Sequence, residues 1–432
     1  MKQRVQRTER VRGNITVPGD KSISHRAGML AAIAEGTTQI RNFSSSEDCA
    51  TTLKCLVELG IEVKRDGDYV VIAGRPGGFA TPTAALDCGN SGTTIRLISG
   101  LLAGIGIEAT LTGDESLRSR PMGRVITPLE KMGAVIESSD GKAPLHLVGG
   151  QRLAGIEYEL PVASAQVKSC VLLAGLSAEG STSVIETTPT RDHTERMLRG
   201  FGVEVDVSAL GPGRKISVRG GSRLKATDLT VPGDVSSAAF FLVAAAILPG
   251  SDVTITDVGL NPTRSAIFDV LKAYGVELQI TNQRVSAGEP IGDIRVRSSQ
   301  PPVRPADYTI RGEMVANLID EVPVLAVLGA CSEGGLEIRD AGELRVKESD
   351  RIASIVTNLR AMSAEVEEFE DGFRIEKSEL KGGRVDSFGD HRIAMAFAVA
   401  GLAAEGETVI ENAECAAVSF PTFFKVLGSL AE

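Results

Sequence analysis

The 432-residue sequence predicts an α/β (α+β) architecture of two domains. Each domain holds three copies of one strand–helix–strand–helix–strand (βαβαβ) unit, with buried helices and outer sheets. Three observations carry this. The chain is longer than one ordinary domain. A segment of fixed character recurs six times along it. The first helix of each recurrence is apolar around nearly its whole circumference, a pattern that belongs to a buried helix.

The repeat is plainest between VPGDKSISHRAGMLAAIAEGTTQIRNF, from Val17, and VPGDVSSAAFFLVAAAILPGSDVTITDV, from Val231. Both open on a β-branched residue and a PGD turn. An Ala-rich stretch of helical length, a glycine and a short alternating strand follow. The same order starts at Leu86, Leu160, Leu318 and Val385, so the copies lie roughly 65 to 90 residues apart. A second, more charged helix then follows, as in KCLVELG and TERMLRGF, and should face solvent. The endings VELGIEV, EKMGAVI, RGFGVEV and KAYGVEL place a glycine where a left-handed cap suits it, with an alternating tail that suits a strand.

The last copy ends at FFKVLGSLAE without a tail strand. The strand-like segment at residues 14–18 is free to complete it, which assigns residues 1–18 plus 233–432 to a discontinuous C-terminal domain and 19–232 to an N-terminal one. The PGD turns at residues 18–20 and 232–234 are then the only crossovers and the expected hinges, beside a cleft between the domains. Gly, Pro and Ser content predicts loops at residues 75–83, 209–215 and 298–307.

Composition narrows the function. Hydrophobic residues are 42% and charged residues 24%, as in an ordinary globular protein. A net charge of −10 argues against a general nucleic-acid binder, and 4% aromatics without Trp argue against base stacking. No apolar run approaches the about 20 residues that a membrane helix needs. The basic N-terminal segment lacks an apolar core, so it is read as a solvated, partly frayed end and not a secretory signal. The six cysteines form no CxxC pair and the four histidines are dispersed, which suggests neither a disulfide framework nor a metal site. Cys170 and Cys331 sit in apolar contexts and read as core residues. A cytoplasmic location is expected.

Chemistry-bearing residues gather at the start of the first helix of each copy and in the loop before the second. A helix start offers unpaired N–H groups and a positive dipole end, both suited to anions. In copy one, Ser22 and Arg26 are four apart and share a helix face behind Lys21. In copy two, Gly92 belongs to a small-residue turn that admits a phosphate or carboxylate close to the backbone. Arg118, Arg120 and Arg124 follow, and Arg120, preceding Pro121, is held extended. In copy three, Ser164, Ala165 and Gln166 begin a helix, with Ser164 also a natural N-cap. Arg191 lies in the following loop, and His193 beside it reads as structural. Copy four has Val235, Ser236 and Ser237 in place of cations and is read as structural only. Copy five places Asp320 at a helix start, then Lys347, Glu348 and Arg351, a carboxylate between cations of the kind that tunes acid–base groups. In copy six Asp390 should cap a helix, with Arg392 in its first turn. Several cations, at least two carboxylates and no thiol nucleophile suit two small polyanions joined by acid–base chemistry.

The motifs GDKSISHRA, GNSGTTIR, RSRPM, ASAQVKS, LRVKESDR and GDHRIAMA, in this order between Val17 and Leu427, closely resemble the 5-enolpyruvylshikimate 3-phosphate synthase family. The resemblance implies the two-domain enolpyruvyl transferase fold and the joining of phosphoenolpyruvate to shikimate 3-phosphate, by a monomer without metal or cofactor. It implies shikimate 3-phosphate contacts from Lys21, Ser22, Arg26, Ser164, Ala165, Gln166, Arg191, Asp320 and Lys347. It implies phosphoenolpyruvate contacts from Lys21, Gly92, Arg120, Gln166, Arg351 and Arg392, and catalytic roles for Asp320, Glu348 and Lys21.

Departures stand at Val418, where some members carry Lys, at Glu343, where some carry Asn, and at Ala165, where some carry Ser. They resemble the family's second class. Gly92 is retained, so glyphosate is expected to compete with phosphoenolpyruvate. The sister transferase acting on UDP-N-acetylglucosamine uses a loop cysteine that GDESLRSRPMG lacks. A non-catalytic sensor of phosphorylated acids would need the cations but not Asp320 or Glu348.

Overall fold

The computed structural model describes residues 1–432. The chain forms two compact units. The first, here the N unit, is Gly19–Val231 with Val285–Glu289; the C unit is Met1–Pro18, Pro232–Arg284 and Pro290–Glu432. Besides the passages at residues 18–19 and 231–232, the short stretch 285–289 therefore also leaves the C unit, so the PGD turns are not the only crossovers.

Each unit contains three small sheets laid over buried helices. Five of the six copies end in a hairpin, whose two strands extend the predicted unit by one. In Leu86–Asp87, Ala109–Thr112, Lys142–Val148 and Val135–Ser139, for example, the leading strand runs parallel to the second and the hairpin closes the sheet antiparallel.

The leading strands of copies one and four are exchanged. Arg12–Thr16, just before the first PGD turn, pairs parallel with Asp252–Gly259 in the C unit. Leu229–Thr230, just before the second, pairs parallel with Gly36–Arg41 in the N unit. The segment at residues 14–18 thus does not complete the last copy. Gln3–Gln6 does so, antiparallel to Glu407–Glu411. The N-terminus is accordingly not frayed: Val5 and Val11 are buried, and Lys2 reaches Glu411 Oε1 at 2.8 Å. Its alternating charges mask a strand whose inward residue is a single valine. The predicted loop at residues 209–215 is likewise mostly strand. Val205–Leu210 and Gly213–Arg219 form a hairpin that needs only Gly211 and Pro212 to turn.

The first helices are buried as their composition requires. Every residue of Val235–Ile247 is buried, and so are all but one of Val322–Cys331. A buried helix start must satisfy its leading N–H groups, and short polar side chains do this repeatedly. Asp20 Oδ1 accepts from Ile23 N at 2.9 Å, Ser91 Oγ from Thr94 N at 3.1 Å and Asp390 Oδ1 from Arg392 N at 2.8 Å.

Small residues let these helices touch through their backbones. A Cβ on Gly100 of Gly92–Ile105 would lie 2.2 Å from the Cys170 carbonyl oxygen of Ala165–Gly175. The second helices bury one face only, as Glu47–Glu58 does with Cys49, Leu53 and Leu56. One fully buried cation is compensated within the N unit: Lys168 Nζ lies 2.7 Å from Glu195 Oε1 and 3.1 Å from Glu186 Oε1.

His25 is buried in Lys21–Ile33, with Nδ1 2.6 Å from Thr52 Oγ1. Burial, opposed in part by Asp48, pushes its pKa down to about 3. The folded state therefore refuses a proton that the unfolded chain accepts below its ordinary 6.5. This contribution to stability is complete above pH 6.5 and is lost as pH falls toward 3.

Three outcomes are expected. Gly100→Val should destabilise by about 3 kcal/mol or more. Gly428→Ala, in Phe423–Leu430 with nothing within 4 Å of the added carbon, should stabilise by roughly 0.5–1 kcal/mol. Thermal unfolding of both variants reads the opposite signs. In urea melts at pH 7 and pH 4.5, replacing His25 with Gln should remove about 2 kcal/mol of the wild type's acid-side loss. An equal loss in both proteins would dismiss His25 as a source.

Candidate functional site

Each unit gathers its own polar cluster. In the N unit, Lys21 begins the helix that Asp20 caps, and its Nζ rests 2.8 Å from Asp48 Oδ2. Arg26, one turn on, is buried and donates in three directions: Nε to Thr194 Oγ1 at 2.7 Å, Nη2 to Ser169 Oγ at 2.7 Å and Nη1 to the Ser22 carbonyl at 2.9 Å. Burial lowers its pKa to about 10, so it remains charged at neutral pH. These bonds tie the start of Lys21–Ile33 to Ala165–Gly175 and His193–Gly200. A chain of hydroxyls continues from His25 through Thr52 to Thr94 at 2.7 Å and from Thr94 to Ser91 at 2.7 Å, reaching the start of Gly92–Ile105.

Around Gly92 stand two arginines. A Cβ there would lie 3.0 Å from Arg96 Nη1 and 3.5 Å from Arg120 Nη1. Arg120 is extended (φ −77°, ψ 142°), as the following Pro121 demands, and donates through Nη2 to Asn90 Oδ1 at 2.8 Å. Arg96 Nη1 donates to Gln166 Oε1 at 2.6 Å, and Gln166 Nε2 donates to Thr93 Oγ1 at 2.9 Å. Ser164 caps Ala165–Gly175 by accepting from Val167 N. Arg191 immediately precedes Asp192, the N-cap residue of His193–Gly200. His193 is structural as read, buried with Nδ1 2.8 Å from Glu289 Oε1.

The C unit assembles carboxylates and arginines. Asp320 lies just ahead of Val322–Cys331. Its carboxylate is 3.5 Å from Arg351 Nη1, 3.6 Å from Arg264 Nη1 and 3.7 Å from Arg392 Nη2. Arg392 Nη1 also donates to the Asp320 carbonyl at 2.9 Å.

Arg351 is 1% exposed, with Nε 2.7 Å from Asp390 Oδ2 and Nη2 2.6 Å from Glu348 Oε2. Burial works against its charge, but Glu348, Asp390 and Asp320 outweigh that and hold its pKa above the ordinary guanidinium value. Burial likewise opposes ionisation of Asp390, and Arg351 with His391 reverses the effect and keeps its pKa low. Lys347 and Arg351 do not share a helix. Lys347 is extended after the 3-10 turn Gly342–Val346, and Arg351 opens Arg351–Ala361. Val418 closes the 3-10 segment Ala413–Val418, and Glu343 is exposed.

Thus Gly92 lies against both Arg120 and Arg96, Gln166 joins them through Arg96, Arg26 is bonded to the Ser22 carbonyl, and Asp320, Glu348, Arg351 and Arg392 form one cluster. Sequence reasoning gave no role to Arg96, Asp48 or Arg264. Arg96 was visible four residues after Gly92 on the same helix face. Arg264 was visible in NPTR, which echoes TPTR at residues 188–191. Copy four, read as structural only, therefore sends an arginine to Asp320.

No group of three or more His, Cys, Asp or Glu side chains has a metal-holding arrangement, and no helix is long and apolar enough to cross a membrane. A set of fixed cations at helix starts can hold phosphate and carboxylate groups, and carboxylates among arginines can move protons.

Comparison with known proteins agrees with this chemistry. The family EPSP synthase (3-phosphoshikimate 1-carboxyvinyltransferase) matches residues 5–427. The 3-phosphoshikimate 1-carboxyvinyltransferase of Koribacter versatilis is 50% identical over 431 residues, covering 99% of both chains. That of Geobacter metallireducens is 51% identical over 425 residues, 98% of this chain and 97% of the relative. The solved EPSP synthase of Acinetobacter baumannii superposes with a TM-score of 0.90 at 44% identity, covering 100% of this chain and 98% of that one. With the match running nearly from end to end, and with its repeated small sheets over buried helices, the chain belongs to the EPSP synthase family.

Proposed function

We propose that this chain is a 3-phosphoshikimate 1-carboxyvinyltransferase (EC 2.5.1.19), which transfers the carboxyvinyl group of phosphoenolpyruvate to the 5-hydroxyl of shikimate 3-phosphate in the shikimate pathway. The observation that carries the reading is the Asp320 carboxylate, set 3.5–3.7 Å from three guanidinium groups, with Glu348 on the same Arg351. Cations hold Asp320 in the anionic form that a general base requires. Neighbouring arginines suit the phosphate and carboxylate of the partner substrate.

Shikimate 3-phosphate is held by Lys21, Ser22, Arg26, Ser164, Ala165, Gln166, Arg191, Asp320 and Lys347. Phosphoenolpyruvate is held by Lys21, Gly92, Arg120, Gln166, Arg351 and Arg392. Asp320 takes the hydroxyl proton as that oxygen bonds to C2 of phosphoenolpyruvate. Glu348, assisted by Lys21, delivers a proton to C3. Arg351, bonded to Glu348, is also assigned to phosphoenolpyruvate, and a carboxylate that shares its cation with a substrate anion takes up a proton more readily. The tetrahedral adduct then breaks its C2–O bond to phosphate. The leaving phosphate takes the Asp320 proton, and Glu348 recovers the proton from C3 as the double bond returns. Both carboxylates finish as they began. The cations stabilise the charge that develops on the way.

The domains are residues 1–18 with 233–432 and residues 19–232, hinged at the turns 18–20 and 232–234, and they match the two units apart from Pro232 and the stretch 285–289. The enzyme acts as a monomer in the cytoplasm, which its six free thiols support.

Phosphate should be released only when both substrates are present, and release from phosphoenolpyruvate alone at the same rate would remove the transferase reading. Asp320→Asn should lower kcat by about 10²–10⁴ while titration still shows shikimate 3-phosphate binding within a few-fold of wild type. Binding and turnover measured on one preparation separate an enzyme from a sensor.

A further inference from the structure

We propose that Arg264 is a positioning residue for the transfer reaction, holding the Asp320 carboxylate ionised and in place when substrate engages the other arginines around it. The proposal rests on the reading of Asp320 as the base. Arg264 lies in the loop between Asp252–Gly259 and Ala266–Ala273. Arg191 occupies the matching loop of copy three, between Ser181–Glu186 and His193–Gly200. The two loops read NPTR and TPTR, so the repeat places an arginine at the same point of both copies. Arg191 remains partly exposed, whereas Arg264 is 3% exposed.

Arg264 is fixed from behind. Its Nη2 donates to Asp234 Oδ1 at 3.1 Å and to Ser236 Oγ at 3.0 Å. Both partners are themselves held. Asp234 caps Val235–Ile247 by accepting from Ser236 N at 3.0 Å, and the Ser236 hydroxyl donates to Glu321. This anchoring directs Nη1 toward Asp320 Oδ2, 3.6 Å away. The separation is long for a hydrogen bond but well within the range at which a cation favours a carboxylate's charged form.

The groups facing Asp320 have different obligations. Arg351, from the start of Arg351–Ala361, also serves Glu348 and Asp390. Arg392, from the first turn of His391–Ala403, also serves the Asp320 carbonyl, with His391 beside it and next to Asp390. Glu321, on the same segment as Asp320, is engaged by Ser236. Arg351 and Arg392 are the two assigned to phosphoenolpyruvate, whose negative charge cancels their pull on Asp320. Arg264 is buried and shares its charge between Asp234 and Asp320, and no substrate contact is assigned to it, so its pull on Asp320 does not change when substrate arrives.

The test is the pH profile of kcat at saturating substrates, which reports the bound complex, in purified wild type, Arg264→Met, Arg264→Lys and the double variant Arg264→Met with Asp234→Asn. Arg264→Met should lower kcat about 10- to 100-fold and move the acid limb up by about one pH unit, with KM for phosphoenolpyruvate changed by less than about threefold. Arg264→Lys keeps the charge and should return the limb to its wild-type position. If Arg264→Met does not fold, the double variant removes both buried charges together and is read for the same limb. A lowered melting temperature with an unmoved limb in the folded neutral variant means a structural role and overturns the proposal. Asp320→Asn is measured alongside. Its full turnover would defeat the base itself, whereas a dead Asp320→Asn beside an unmoved neutral Arg264 variant would defeat only the role of Arg264.

Discussion

Most of the C unit's polar geometry hangs on one buried guanidinium. Arg351, 1% exposed, meets Asp390 at 2.7 Å, Glu348 at 2.6 Å and Asp320 at 3.5 Å. An isolated charge at such depth is prohibitive, so the carboxylates are a condition of burying it. The dependence runs both ways. Asp390 uses Oδ1 to cap His391–Ala403 and Oδ2 to hold Arg351. A helix start, a second helix start and the segment carrying Asp320 are therefore positioned by a single side chain.

The N unit solves the same problem with opposite electrostatics. Arg26 is also buried, but its direct partners are the hydroxyls of Thr194 and Ser169 and the Ser22 carbonyl. Neutral oxygens satisfy its hydrogen bonds without cancelling its charge, and burial lowers its pKa to about 10 instead of the reverse. Carboxylates such as Glu195 and Asp20 act on Arg26 without bonding to it, whereas Arg351 is bonded to Glu348 and Asp390 directly. This contrast suits the first to hold an anion and the second to relay protons, and it follows from the choice of Thr and Ser against Asp and Glu as partners.

The sequence was most readable where one helix carried the information. All-round apolarity marked the first helices, the spacing of Ser22 and Arg26 put them on one face, and Pro121 set Arg120 extended. Ser164 and Asp390 read as caps because capping is local. The leading strands were harder. Leu229–Thr230 is two residues long and pairs with Gly36–Arg41, far away in the chain, so no period announces it. Gln3–Gln6 hides one inward valine among polar residues. Partners such as Thr194 for Arg26, 168 residues on, or Arg264 for Asp320 exist only once the chain is folded. Gly211 and Pro212 marked a turn, but composition could not say that strands ran up to both of its sides.

The motif GNSG shows how two identical residues can be required for unlike reasons. Gly89 has φ +55°, a left-handed conformation that side chains resist. Gly92 begins an ordinary helix, and no backbone demand excludes alanine from it. A methyl there would stand 3.0 Å from Arg96 Nη1 and 3.5 Å from Arg120 Nη1, so it would push on the tip of one guanidinium and touch the other. The first glycine makes the turn that delivers the helix start, and the second keeps that start open to two guanidinium groups. A helix N-terminus draws anions weakly by its dipole alone. With the side chain removed and two arginines drawn against it, the same terminus presents backbone donors and fixed cations to one small volume, which is the combination a phosphate or carboxylate needs.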